Sequence, residues 1–320
     1  MKLLDKSYPI PSHKEWEIID SSKLNDFITC PRMLFYKHIL GWQSTAPNNH
    51  LIFGSAWHVA MEYLWLYGYD KVNEAYEAFL EDYRRELPEA SDCLFEPKTP
   101  ARAKDALLAY VDKYRSDKDD YEVLYTEIAG VVPITPTFYL HFRMDTILNK
   151  NGLYGSLEHK TKGGRFYDKW LQQWQMSIQI GTYHHVLYSL FPENEVEGVK
   201  LNGAGFLKTD LDFQRFPFRW GRERMQVWSD TVQHYMNELI HEMFLLESVT
   251  DEDPILIVFP CRPTSCDKWF GCPYIDFCSS WPNPLQNCDE PPIGFEERFW
   301  NPQDEPHTHE MDLRKEKGDV

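Results

Sequence analysis

Long apolar runs are missing from this chain. Stretches such as "ILIVF" at 255–259 are among its most hydrophobic, far short of the about 20 apolar residues a bilayer-spanning helix needs. The opening "MKLLDKSYPIPSHKEWEIID" lacks the basic start and apolar stretch of a secretory leader. A cytoplasmic protein with no membrane contact is expected. Basic charge is scarce too: 33 Lys and Arg stand against 50 Asp and Glu, for a formal net charge of -17. That balance argues against a non-specific nucleic-acid coat protein, which would be basic, and favours a soluble enzyme or a chain with local basic patches. Repeats and low-complexity tracts are absent. Cysteine is limited to seven residues, an odd count, which in a cytoplasmic chain reads as reduced thiols or metal ligands rather than disulfides.

What is present suffices for a real core. In 320 residues, 42% are apolar and 15% aromatic, enough for one large domain with insertions or for two domains. The pattern at 21–42 predicts a helix behind a serine cap, bent or restarted at Pro31. Helical periodicity continues at 53–68, 70–87 and 101–116, then changes to strand alternation at 121–134, 137–148 and 152–161. One long helix is expected over 167–190, strands over 197–210 and 213–220, and a long amphipathic helix over 222–247. A cysteine-rich coil closes the fold. Order is expected to end near Trp300, leaving the polar 301–320 as a disordered tail. The fold class is α/β with a helical N-terminal insertion.

The hairpin "FRMDTILNKNGLYGSLEHKT" carries charge where a sheet interior is expected. Asn151-Gly152 fits the central positions of a type I′ turn, so Lys150 faces Leu153 and Asp145 faces Glu158. In a loop two residues longer, Asp145 faces Ser156 and Glu158 takes the neighbouring diagonal. Lys160 returns to the same face, alongside Arg143. Two carboxylates this close repel unless a cation lies between them, and oxygen donors suit Mg²⁺ or Mn²⁺ better than zinc. A lysine beside such an ion can orient or deprotonate a water, or neutralise charge on a phosphate, which suits phosphodiester hydrolysis. An exposed salt bridge among Asp145, Lys160 and Arg143 explains the same pattern.

Two further groups stand out. Cys266, Cys272 and Cys278 recur at equal gaps, with Cys261 and Cys288 on either side; all-sulfur coordination accepts zinc or an iron-sulfur cluster, and spacing does not separate them. "HKTKGGRFYDK" supplies Lys160, Lys162, Arg165 and Lys169 around a Gly-Gly pair that permits close approach of a nucleic-acid strand. A solvated charged face is the alternative for these residues. The nearby Phe166, Tyr167, Trp170 and Trp174 can stack unpaired bases or pack the core.

Taken in order, five motifs resemble the PD-(D/E)XK nuclease superfamily, in particular its RecB-like iron-sulfur branch of CRISPR-associated and phage recombination exonucleases. They are Cys30-Pro31-Arg32 with Phe35 and Tyr36, Gly54 with His58, Asp145 in "FRMD", Glu158 and Lys160 in "EHKT", and Gln179 with Tyr183. Each is weak alone; the ordered set is specific. The resemblance implies a restriction-endonuclease-like core, a mixed central sheet flanked by helices, within a single domain over 1–300. It places the helical insertion at about 52–118, the catalytic core at about 119–247 and the cysteine-rich clasp at about 255–290.

For the site, the resemblance implies that His58, Asp145, Glu158 and the His159 backbone carbonyl hold Mg²⁺ or Mn²⁺, with Lys160 as general base. The imidazole tilts the choice toward Mn²⁺. Gln179 and Tyr183, one helical turn apart, would meet a phosphate or base. Glu127 is either a supporting carboxylate or an exposed strand residue. Cys30 with Cys266, Cys272 and Cys278 would hold a 4Fe-4S cluster joining the two ends of the chain, Cys261 being an alternative to Cys30, and Cys93 and Cys288 free thiols. The implied activity is metal-dependent DNA cleavage, as an exonuclease on single strands or duplex ends, in recombination, repair or phage or CRISPR DNA processing. No phosphate-binding loop with Lys-Ser or Lys-Thr occurs, so a helicase or annealing partner would be another chain. An inactive nucleic-acid-binding or protein-interaction module, or a zinc-stabilised interaction domain, remains open.

Overall fold

Asp20 opens the first helix, its carboxylate accepting the Lys23 backbone N–H at 2.8 Å. In this computed structural model, which describes residues 13–267, 271–304 and 306–314, helix α1 (Ser21–Thr29) ends at an extended Cys30, and Pro31 starts α2 (Pro31–Leu34). Proline fits there because the first helical N–H has no intrahelical partner to lose. A π-helical turn over Phe35–Ile39 and strand β1 (Trp42–Ser44) follow. Helix α3 (Asn49–Tyr67) starts where the Asn48 side chain accepts the His50 and Leu51 N–H groups. Next come α4 (Val72–Glu86), α5 (Pro100–Lys113) capped by Thr99, and α6 (Asp117–Asp120).

Three long strands succeed them, β2 (Glu122–Pro133), β3 (Tyr139–Lys150) and β4 (Leu153–Gly163). Helices α7 (Asp168–Gln172) and α8 (Ile178–Leu190) lead to β5 (Val196–Phe206) and β6 (Leu211–Phe218). Helix α9 (Arg222–Leu246), α10 (Ile275–Ser280), β7 (Phe295–Glu297) and β8 (His309–Asp312) complete the described elements. The sheet order is β6-β5-β4-β3-β2-β8, with β3–β4 and β5–β6 antiparallel and β4–β5 parallel. The parallel pair requires a crossover, which α7 and α8 supply. The result is a mixed central sheet flanked by helices.

The chain divides into two compact units. One comprises Pro47–Gly130, Arg143–Met225 and the described residues from 306 onward; its core sets Phe53, Trp57 and Met61 of α3 and Phe79 of α4 against Leu157 and Phe206 of the sheet. The other comprises the described residues up to 46, Val131–Phe142 and 226–304; Phe35, Tyr36, Trp42, Phe259 and Tyr274 form its core. Among the described residues no helix is long and apolar enough to cross a membrane.

Two stretches differ from expectation. The single helix predicted over 167–190 is broken between Gln172 and Ile178, where the Ser177 hydroxyl accepts the Ile180 N–H and begins a new helix. A serine ahead of an apolar run is a cap as well as a helix residue, and periodicity alone does not separate the two. Within the polar stretch expected to be a disordered tail, His309–Asp312 lie beside β2 at the sheet edge, with Thr308 N–H donating to the Glu127 carbonyl at 3.0 Å. An edge strand binds through its backbone, so low hydropathy does not forbid it. Residues 305 and 315–320 of that stretch lie outside the described residues.

Candidate metal centre

The β3–β4 hairpin has the register that counting from Asn151-Gly152 gives: both residues have positive φ (55° and 82°), Lys150 pairs with Leu153, and Thr146 with Leu157. One step further, Asp145 and Glu158 come to the same region, 5% and 1% exposed. The Asp145 carboxylate does not merely face Glu158. Its Oδ2 accepts the His159 backbone N–H at 2.6 Å, and its Oδ1 lies 3.1 Å from Nδ1 of His58 on α3.

Glu127 on β2 joins these two. Ligand atoms of His58, Glu127 and Asp145 all lie within 4.8 Å of one another, the spacing at which one cation can touch all three. The exposed alternative for Glu127 is thereby removed, since the residue is 6% exposed. Its backbone has φ of 42° in mid-strand, a left-handed conformation costing a non-glycine residue roughly 1–3 kcal/mol. Arg143 Nε donates to its Oε2 at 2.8 Å. Glu158 takes a different partner: Lys160 Nζ lies 2.5 Å from Oε1, while Oε2 is buried with no hydrogen-bond partner. A buried carboxylate oxygen without a donor costs several kcal/mol of desolvation, and a cation beside it relieves that cost. The imidazole and two carboxylates of the His58–Glu127–Asp145 grouping fit a divalent ion, and Glu158 is not a member of that grouping.

The electrostatics agree. Burial alone would raise the Asp145 pKa, but the His58 imidazole and, further off, His159 and Lys160 hold it well below the usual carboxylate range. Burial and the Asp145 charge push Glu127 up to about 7 and also raise Glu158. Burial would depress His58 and Lys160; the surrounding carboxylates outweigh it and raise both. Lys160 is thus held as an ammonium so long as Glu158 and Asp145 turn their charge on it.

Gln179 and Tyr183 on α8 spend their polar groups inside the site. Gln179 Nε2 donates to Glu158 Oε1 at 3.2 Å and to the Tyr183 hydroxyl at 2.8 Å, and that hydroxyl donates to the Arg143 carbonyl at 2.5 Å. Opposite them lies a polar chain that the sequence did not reveal. Asn202 Nδ2 donates to His159 Nδ1 at 2.8 Å and to Tyr110, Arg215 Nε donates to Asn202 Oδ1 at 3.1 Å, and Arg215 pairs with buried Asp117. Burial pushes His159 down to about 3, so its ring is neutral and faces Asn202 while its backbone N–H holds Asp145. A lone asparagine in the apolar strand "VKLNGAGF" was the available signal.

A model of the PD-(D/E)XK nuclease superfamily matches residues 21–279, most of the chain. The chain belongs to that superfamily. No curated protein matches it. The solved structure of SSO0001 is similar at 16% identity with a TM-score of 0.29, covering 72% of this chain and 78% of that one. PD-(D/E)XK nucleases use divalent metals and act on DNA, and the His58–Glu127–Asp145 grouping is a site in this chain that could hold such an ion.

The cysteines make no comparable single-ion group among the described residues. All seven are free thiols. Cys261 Sγ lies 3.2 Å from Cys278 Sγ, and the buried Cys30 sulfur accepts the Arg262 N–H at 3.4 Å. Burial and Cys261 push the Cys278 thiol up to about 12; burial, then the Cys30, Cys266 and Cys261 charges, raise Cys272. Cys93 is exposed, and the Cys288 thiol donates to the Leu285 carbonyl at 3.2 Å.

Proposed function

We propose that this protein is a metal-dependent deoxyribonuclease of the RecB-like iron-sulfur branch, an exonuclease acting on single strands or duplex ends. The observation that carries the reading is the convergence of His58, Glu127 and Asp145 beside the buried Glu158–Lys160 pair. In this proposal His58, Asp145, Glu158 and the His159 carbonyl ligate Mg²⁺ or Mn²⁺, and Glu127 is the further carboxylate that the sequence left undecided. The ion supplies Lewis acidity and lowers the pKa of bound water. Gln179 and Tyr183 aim Glu158; the Asn202–His159 contact holds the backbone N–H that fixes Asp145. Lys160, paired with Glu158, would balance charge building on the phosphate and is the general-base candidate.

Cys30, Cys266, Cys272 and Cys278 are proposed to hold a 4Fe-4S cluster. What supports this is that Cys272 and Cys278 feel the charges of Cys30 and of the neighbouring thiols. A cubane spreads its thiolates wider than one ion does, so the absence of a single-ion grouping is compatible with it. Cys261, against Cys278, is the competing fourth ligand. The setting we propose is cytoplasmic recombination, repair or phage or CRISPR DNA processing, with a helicase or annealing protein supplying the strand.

The test is cleavage of end-labelled linear and covalently closed circular DNA by anaerobically purified protein with Mn²⁺ or Mg²⁺. Linear DNA should be degraded and circles spared, and Lys160→Ala should lower kcat by roughly 10²–10⁴-fold. Full cleavage by both Asp145→Ala and Glu158→Ala would remove the site assignment.

A further inference from the structure

Beside Lys160 the chain builds an aromatic surface that the core does not require. Of the four aromatics at 166–174, only Phe166 is a core residue: its ring fills the space over Gly203, where an added Cβ would come within 2.5 Å of Phe166 Cζ. Trp170 and Trp174 are half-buried, and Tyr167 is 56% exposed. Ring centroids step from Phe166 to Trp170 at 4.6 Å and from Trp170 to Trp174 at 5.6 Å, ending over the site, where Lys160 Nζ lies 5.4 Å from the Trp174 ring. At the other end, Lys162 Nζ lies 3.9 Å from the Tyr167 ring. The Trp174 indole nitrogen is itself buried, so this ring offers its surface through its exposed carbon face. Between these aromatics and β4, Gly163 and Gly164 leave open space, since an added Cβ at either would meet nothing within 4 Å.

We propose that Tyr167, Trp170 and Trp174 form a stacking subsite for unpaired nucleobases of the strand being cut, with Lys162 and Lys169 reaching its phosphates. The inference rests on the nuclease reading and adds to it where the strand lies and why it must be unpaired there. Two features point to this ligand rather than to a protein or a membrane. Aromatic faces alternate with ammonium groups, which matches the alternation of base and phosphate along a single strand. The surface also abuts the lysine of the candidate metal centre, so a strand lying on it delivers a phosphate to that lysine. Duplex bases, stacked on one another, cannot offer their faces to it.

The experiment is a fluorescence-anisotropy titration of the full chain with a labelled oligothymidylate and with a blunt duplex hairpin, in EDTA so that nothing is cleaved. Cleavage of linear DNA in Mn²⁺ is measured on the same preparations. Tyr167→Ala and Trp170→Ala should each weaken oligothymidylate binding about tenfold, with duplex binding unchanged, and Trp170→Phe should restore most of it. Tyr167 is exposed enough for its alanine variant to fold, and melting curves check both variants. If the native protein cleaves DNA while both alanine variants bind oligothymidylate as it does, the subsite is overturned and the nuclease reading stands. If the native protein neither cleaves nor binds DNA, the nuclease reading fails and the subsite with it.

Discussion

Lys98 is 3% exposed, and burial alone lowers its pKa to about 8. Its ammonium lies 5.1 Å from the Phe53 ring centroid, a cation–π contact that returns only part of the lost hydration. The sign follows from the order of the two pKa values. Below pH about 8 the lysine is protonated in both folded and unfolded chains, and the folded chain bears the full cost of a buried charge. Between about 8 and the unfolded value of 10.5 the unfolded chain binds more protons, so stability rises with pH. Replacing Lys98 by methionine keeps the stem and removes the charge. We expect Lys98→Met to stabilise the protein by roughly 1–3 kcal/mol below pH 8, with the gain fading as pH rises toward 10.5. Urea unfolding of both proteins across that range measures it; a gain constant with pH would show that packing, not charge, limits the native residue.

Gly198 shows how an element constrains its residues. It lies in β5 at φ 114°, and a Cβ there would run into the carbonyl oxygen of Phe218 on the paired strand. Neither backbone can retreat without breaking the sheet register, so Gly198→Ala should destabilise by roughly 2–3 kcal/mol, read as a drop in the urea midpoint at unchanged slope. Gly163→Ala, with open space around it, is the control. The same scale separates what was legible in the sequence from what was not. Hairpin register is a counting problem once Asn151-Gly152 is seen, so the approach of Asp145 to Glu158 could be read directly. Two features could not. The Glu127 carboxylate reaches His58 and Asp145 from a strand whose backbone departs from strand geometry at that residue, and alternation assumes that no such departure occurs. The Arg215–Asp117 pair spans 98 residues of sequence, and no local pattern reports a contact so distant.

At the scale of the whole chain, a net charge of -17 gave no guide to the site, where His58, Lys160 and Arg143 face three carboxylates. The unit that carries every cysteine but Cys93 draws distant segments of the chain together. Arg32 Nε donates to the Phe259 carbonyl and Nη2 to the Leu256 carbonyl, both at 2.9 Å, and Ser265 Oγ donates to the Thr29 carbonyl at 2.7 Å. In this unit burial raises the Cys272 and Cys278 thiols, and the charges of Cys30 and Cys261 add to the rise at both. Thiols that resist ionisation ionise when a cation joins them, so binding of a metal or cluster here would be coupled to folding of this unit. If that ligand is a 4Fe-4S cluster, anaerobically purified protein is brown. Cys272→Ser should then abolish the visible charge-transfer absorption and lower the Tm by on the order of 10 °C, while Cys93→Ser, at an exposed thiol, changes neither. Cys30→Ser and Cys261→Ser compared side by side identify the fourth ligand, because only one of them should bleach the cluster. Colourless protein containing zinc would exclude the cluster and give the sulfur site to a structural ion.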